Sequence, residues 1–367
     1  MAAPGTPLAR RLRTEIEAAG PMPVSAFMAH ALTDPDHGYY TTATPFGAGG
    51  DFITAPEVSQ MFGEIVGAWL VHVGEAIAAA LPDERINLVE LGPGRGTLMA
   101  DILRVARLRP DLDRRLDVHL VEASGKLRQV QAATIAAARP NRAEPRWHDA
   151  FADVPEGPTV VVANEFFDAL PIEQAVMTQA GWRQRVVALA GDGFAFAAGE
   201  SPATVPPQFA DMPAGTIFET CPHGEQVAAE IAARLTRFPG AALLIDYGHD
   251  VPAPGDTLQA VRRHEYADPL HAVGEADITA HVCFGALAEA ARNAGAQAFS
   301  PITQAQFLSD LGIAARADAL VAAGPGRRTE VEAALARLVS PDAMGALFKV
   351  MALASPGMGA LPPFPQH

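Results

Sequence analysis

The run Ile86-Asn87-Leu88-Val89-Glu90-Leu91-Gly92-Pro93-Gly94-Arg95-Gly96-Thr97-Leu98-Met99 constrains the fold of this chain more than any other stretch. Ile86 to Leu91 reads as a short buried strand, and Thr97 to Arg107 as the helix that follows, with three glycines at alternate positions between them. A strand, a glycine turn and a helix N-terminus make a floor on which a nucleotide-like ligand lies close to the backbone. A dinucleotide turn requires G-x-G-x-x-G, and the last of those positions is Thr97 here. The spacing found is G-x-G-x-G, preceded by an acid, Glu90. That pattern belongs to enzymes binding S-adenosylmethionine, which has no pyrophosphate to cradle. Glu90, Gly92, Gly94 and Gly96 are therefore candidate cofactor residues. A glycine-rich turn without a ligand is the plain alternative.

Downstream, Asp117 to Glu122 reads as a second strand ending in an acid. In nucleoside-binding α/β folds an acid at that position accepts hydrogen bonds from both ribose hydroxyls, so Glu122 joins the cofactor set. A short strand near Pro145 to His148 places Asp149, Ala150 and Phe151 where an adenine ring is commonly flanked. Thr159 to Ala163 is a continuous apolar run and predicts a buried parallel strand. It delivers Asn164-Glu165-Phe166-Phe167-Asp168-Ala169-Leu170-Pro171 to the carboxyl edge of the sheet, where open α/β sheets carry out chemistry. Glu165 and Asp168 are candidate catalytic carboxylates, Asn164 their orienting amide, and Phe166 faces the substrate or fills the core beneath. The competing reading makes one of the acids a helix cap.

The first eighty residues predict helices. Leu8, Leu12 and Ile16 recur at helical spacing, Val24 to Leu32 makes a second helix, and Thr54 with Glu57 has capping-box spacing for a helix from about Ala55 to Ala80. Between them a glycine-rich loop from Phe46 to Thr54 carries Asp51, a candidate cofactor ligand on a lid. From Ile172 to about Thr220 four short strands separated by Gly and Pro turns predict an antiparallel insertion. Another buried strand follows from Ala241 to Gly248. Leu258 to Asp277 reads as polar loop, with Tyr247, Arg263, His264, Tyr266 and His281 taken as substrate-facing. The histidines lack metal-ligand spacing, so no metal is expected. Helices and strands then run to Ala354, and the Pro-rich tail reads as frayed. The expected division is 1–82 helical cap and lid, 83–171 and 223–355 the two halves of the core, 172–222 insertion and 356–367 tail.

Bulk properties exclude some classes. The formal charge of −15 repels phosphate backbones and argues against nucleic acid as the main partner. The only cysteines, Cys221 and Cys283, show neither disulfide nor zinc spacing. Val66 to Leu81 is interrupted by His72 and Glu75, so no membrane span is expected, and the amino-terminal residues lack a signal-peptide pattern. A cytoplasmic protein is the simplest expectation.

Seven sheet strands with helical crossovers and this glycine turn predict an α/β fold: a seven-stranded class I methyltransferase (Rossmann-like) sheet with an N-terminal helical cap and an antiparallel β insertion. A nicotinamide-dependent oxidoreductase is the runner-up; the glycine spacing counts against it. The blocks His37-Gly38-Tyr39-Tyr40, Gly50 to Glu57, Glu90 to Leu98, Asn164 to Pro171, Asp246-Tyr247-Gly248 and Asp277 to Val282 resemble the MidA family over nearly the whole chain. Cys283 departs from the acid that pattern leads one to expect. The resemblance implies S-adenosyl-L-methionine as cofactor and symmetric dimethylation of an arginine on a protein substrate. That substrate would be a respiratory complex I subunit, the counterpart of the 49-kilodalton subunit. A cofactor-binding assembly factor without turnover and a small-molecule methyltransferase are the alternatives.

Overall fold

The structure, a computed structural model, describes residues 5–42, 54–139 and 144–365. The chain divides into two compact units, one of residues 53–167, 225–250 and 284–367, the other of residues 1–52, 168–224 and 251–283. This differs from the division expected at 82 and 223. The long helix after residue 59 buries its apolar face in the first unit rather than in a cap. Residues 251–283 pair and pack with the insertion's unit.

The first unit is built on one sheet. Its principal elements in chain order are α1 (Gln60–Ala80), β1 (Ile86–Leu91), α2 (Thr97–Ala106), β2 (Leu116–Val121), α3 (Gly125–Ala138), β3 (Arg146–His148), β4 (Thr159–Asn164), β5 (Gly240–His249), β6 (Gln297–Ala298) and β7 (Phe348–Ala354). The spatial order is β6-β7-β5-β4-β1-β2-β3. Neighbours from β5 to β3 run parallel, whereas β7 is antiparallel to both β5 and β6. All six residues of β1 and of β4 are buried, as strands covered on both faces require. The strand order reverses between β1 and β4, and Leu91 is opposite Ala163 there. One step further, Gly92 and Asn164 leave adjacent strands at the carboxyl edge. That is the switch point at which open α/β sheets bind ligands.

The helix expected from Ala55 to Ala80 is broken. Ser59 is extended (φ −165°, ψ 141°), which separates a short turn, Ala55–Val58, from α1. Ser59 caps α1 through its side chain, whereas Thr54 makes no side-chain cap bond. Helix α1 is long and apolar enough to cross a membrane by length and composition, contrary to the expectation above, but 67% of its apolar window is buried inside the protein. It is a core helix of this unit. The Pro-rich tail is ordered rather than frayed: Trp69 donates to the Pro362 carbonyl at 2.9 Å, and Phe364 packs edge-on to the same indole. Leu361 and Phe364 are buried because they close the apolar cluster around Trp69, Phe299 and Phe307.

The second unit carries helices Pro7–Ala19 and Val24–Thr33 over an antiparallel sheet. That sheet is made of Met22–Pro23, Glu173–Thr178, Gly181–Ala190, Gly193–Pro202 and Ile217–Thr220. The insertion strands fall close to where the alternating pattern puts them. The stretch expected as polar loop instead forms a small sheet of Gln259–Arg262, Glu265–Ala267 and Asp277–Thr279. Ala260 and Ile278, inward on that sheet, are buried in this unit's core with Leu8, Phe27 and Tyr39. Too few apolar residues in each short strand left a sequence signal there.

Candidate active site

The turn after β1 has the backbone that its glycines allow. Gly92, Gly94 and Gly96 take φ values of 60°, 52° and 80°, in the left-handed region open chiefly to glycine. A Cβ on Gly92 would lie 3.0 Å from the Phe166 ring, and one on Gly96 3.3 Å from Cα of Gln131. Open backbone is therefore demanded by both conformation and space. Gly96 then serves as the residue before α2, so the first N–H groups of that helix face the turn.

Three side chains frame the turn. Glu90 is buried and its carboxyl reaches the Met99 N–H in the first turn of α2, bridging the loop from strand to helix. Burial pushes its pKa up to about 8. Its Oε2 has no hydrogen-bond partner among the described residues. Glu122, at the end of β2, accepts from Ser124 N–H at 2.7 Å and Gln131 Nε2 at 3.0 Å, one on each oxygen. A carboxylate has lone pairs beyond those two, enough for two ribose hydroxyls. Burial raises the Glu122 pKa, while the Ser124 and Gln131 bonds oppose the shift. Gln131 also donates to the Gly94 carbonyl at 2.8 Å and accepts from Trp147 Nε1 at 2.8 Å. Asp149 is exposed and paired with Arg128, and Ala150 is exposed beside it. Phe151, buried under the Arg234 guanidinium, fills the floor beyond them. Asp51 and residues 46–53 of the expected lid lie outside the described residues.

At the end of β4 the chain turns sharply. Glu165 sits at φ 50°, uncommon for a residue with a side chain, and its N–H is held by the Ile245 carbonyl at 2.9 Å. Its Oε1 accepts from Ala55 N–H at 3.0 Å and from Asn164 Nδ2 at 3.1 Å. Asn164 is 8% exposed, and its Oδ1 has no partner among the described residues. With Nδ2 committed to a carboxylate, that oxygen is an acceptor aimed away from Glu165. Phe166 stands over Gly92, edge-on to the buried Phe167. The Phe167 N–H is fixed at 3.0 Å by Oδ2 of Asp246, whose Oδ1 takes the Tyr247 N–H. Tyr247, expected to face substrate, is buried, its ring edge-on to Phe348, its cross-strand partner on β7.

In the other unit, Asp168 is 6% exposed and its carbonyl accepts from Ala280 N–H at 3.0 Å. Tyr40 donates to Asp277 at 2.9 Å, and burial with the nearby Asp277 and Asp168 charges holds its phenol well above the usual range. The His281 N–H is held by Thr257 Oγ1, and burial lowers the His281 pKa. Arg263 and His264 occupy the left-handed two-residue turn of a hairpin, exposed, with Tyr266 82% exposed beside them.

Sequence reading missed Gln131, and it gave Asp246 and Glu57 no part in the site. Gln131 interrupts the buried stripe Leu127, Gln131, Ile135, and a polar residue on an apolar face is the available signal. Asp246 interrupts the apolar run Ala241 to Ile245 of β5.

A family model for S-adenosyl-L-methionine-dependent methyltransferases matches residues 65–302. The protein arginine methyltransferase NDUFAF7, mitochondrial, of Danio rerio is 36% identical over 365 residues, covering 93% of this chain and 85% of that protein. Its Homo sapiens counterpart is 35% identical, covering 95% of this chain and 84% of its own length. The chain belongs to the MidA family of S-adenosylmethionine-dependent methyltransferases. A crystal structure from Burkholderia thailandensis, solved with S-adenosyl-homocysteine bound, aligns at a TM-score of 0.84 with 32% identity, over 96% of this chain and 93% of that one. The class I sheet predicted from the order of strands is the fold of this MidA family chain. Its left-handed glycine turn, the acid closing β2 and a Glu90 oxygen without a partner among the described residues fit the cofactor that the family uses.

Proposed function

We propose that this methyltransferase acts on an arginine side chain of a protein. What carries the reading is the 35–36% identity, over more than nine-tenths of this chain, to relatives named protein arginine methyltransferase. The cofactor, when bound, supplies an electrophilic methyl group on a sulfonium sulfur. The chain's own task is to present the acceptor nitrogen in line with it. A guanidinium is a poor nucleophile because its positive charge is spread over three nitrogens. A carboxylate that grips one N–H edge holds the planar fork and draws charge to the bonded side. Glu165, at the carboxyl end of β4, is the carboxylate assigned to this grip in our reading. The Asn164 Oδ1 acceptor lies beside it to take a further N–H. Phe166 covers the glycine turn and helps keep water from the edge. Asp168, assigned by sequence to the same grip, belongs to the other unit.

The finer reading is symmetric dimethylation of an arginine in a complex I subunit, in support of that complex's assembly. Extract from cells lacking this protein, incubated with the purified chain and methyl-labelled S-adenosylmethionine, decides the matter. Mass spectrometry of the labelled band should find symmetric dimethylarginine. Label on a small molecule or on another residue type would refute the arginine reading. Cofactor binding without any label would instead favour an assembly factor that does not turn over.

A further inference from the structure

The residue read as a substrate carboxylate is also tied to the cofactor turn, by two routes. One is direct: Phe166, its chain neighbour, lies against Gly92. The other runs through the short segment Ala55–Val58. Glu165 Oε1 accepts the Ala55 N–H at 3.0 Å, and two residues on, Glu57 Oε1 accepts the Thr97 hydroxyl at 2.7 Å. Thr97 is the first residue of α2, immediately after Gly96. Ala55 and Pro56 are buried, so the segment is seated rather than draped over the surface. Glu165 is in turn held in a left-handed conformation by Ile245 and by the Asn164 amide, and such a conformation persists only where its surroundings over-determine it.

We propose that Glu165 is a positioning residue for the cofactor turn, acting through Ala55 and Glu57 on Thr97. The carboxylate fixes one end of the segment and Glu57 fixes the other to the helix start, so the turn is pre-ordered before the cofactor arrives. Loss of either anchor leaves ordering to be done on binding, and affinity falls by the fraction of molecules no longer competent. This goes beyond the substrate role and rests only on the cofactor turn.

The test is calorimetry of the full chain with S-adenosylhomocysteine as probe. Glu165→Ala should weaken binding by about tenfold, the size of one lost hydrogen bond to a charged group. Glu165→Gln should stay within about twofold of wild type, because its amide oxygen still accepts the Ala55 N–H. Thr97→Val, which deletes the hydroxyl at similar shape, should weaken binding in the same direction. The double variant Glu165→Ala with Thr97→Val should lose less than the sum of the two, since both cut one path. Should Glu165→Ala fail to fold, Thr97→Val and Glu165→Gln still decide. Unchanged affinity in Thr97→Val, a Glu165→Gln as weak as Glu165→Ala, or full additivity in the double variant would each overturn the proposal. Methyl transfer by Glu165→Gln reports separately on the arginine grip, so the two readings fail by different measurements.

Discussion

Gln131 donates to Glu122 at 3.0 Å and, from the same amide nitrogen, to the Gly94 carbonyl at 2.8 Å. A single buried side chain thus joins the acid that closes β2 to the middle of the glycine turn. Its oxygen is occupied by Trp147, so every polar atom of the amide is used. Gln131→Leu would leave a carbonyl, a carboxylate oxygen and an indole N–H short of a partner. Stability should drop by about 2–4 kcal/mol. Urea midpoints measure it, and a loss under ~0.5 kcal/mol would mean water replaces the amide without cost.

Glu122→Ala removes the acceptor proposed for the ribose hydroxyls. Charge-assisted bonds of this kind are worth roughly 1.5–3 kcal/mol, so S-adenosylmethionine should bind about ten- to a hundredfold more weakly. Titration calorimetry of the two proteins settles it. Equal affinity would remove Glu122 from the site, and tight NAD binding to the wild type would revive the oxidoreductase reading.

Glu90 makes the protein's stability fall as pH rises. Its carboxyl ionises near 4.5 when exposed and at about 8 in the fold, so between those values the native state holds a proton that the unfolded chain has released. The stabilisation from this group is complete below 4.5 and is lost as pH passes through 8. Glu90→Gln stays neutral throughout and should flatten the decline between pH 4.5 and 8. Denaturation midpoints at stepped pH test this; parallel curves for the two proteins would show that Glu90 is ionised in the fold.

His119 acts in the opposite sense. It is wholly buried on β2, its Nδ1 2.9 Å from His148 Nε2, and burial followed by the His148 charge lowers its pKa from 6.5 to about 4. The unfolded chain therefore takes up a proton first, and stability present above 6.5 drains as pH falls toward 4. His119→Asn should unfold less steeply in that acid window. Identical acid transitions in variant and wild type would place the sensitivity elsewhere.

The sheet and its turn were legible because their signals are local. Alternate glycines, an apolar run at Thr159–Ala163 and acids at strand ends each declare themselves within a few residues. Glu165 was legible as a residue but not as a contact. Nothing near it in sequence announces Ala55, which lies 110 positions away. Thr54 and Glu57 have the spacing of a capping box, yet Glu57 turns to Thr97 instead, since a tertiary hydroxyl outcompeted the local N–H. Tyr247 reads as a site residue because it follows the apolar run of β5, and its burial beside Phe348 comes from a pairing with β7 that lies about a hundred residues away.

The interleaving of the two units has a consequence for how the molecule is made. The sheet unit is assembled from three stretches of chain, and the other unit's stretches 168–224 and 251–283 lie between them. Strand β5 finds one neighbour in β4, already synthesised, and the other in β7, about a hundred residues later. Trp69 waits still longer for Pro362, 293 positions downstream. Neither unit can be finished before the other has been largely translated, so the nascent chain carries an open sheet edge and an unfilled apolar cluster for most of its synthesis. Such exposed edges and clusters are what chaperones recognise. A protease cut within 168–224 would split the very chain on which the sheet depends, although no strand of that sheet lies there.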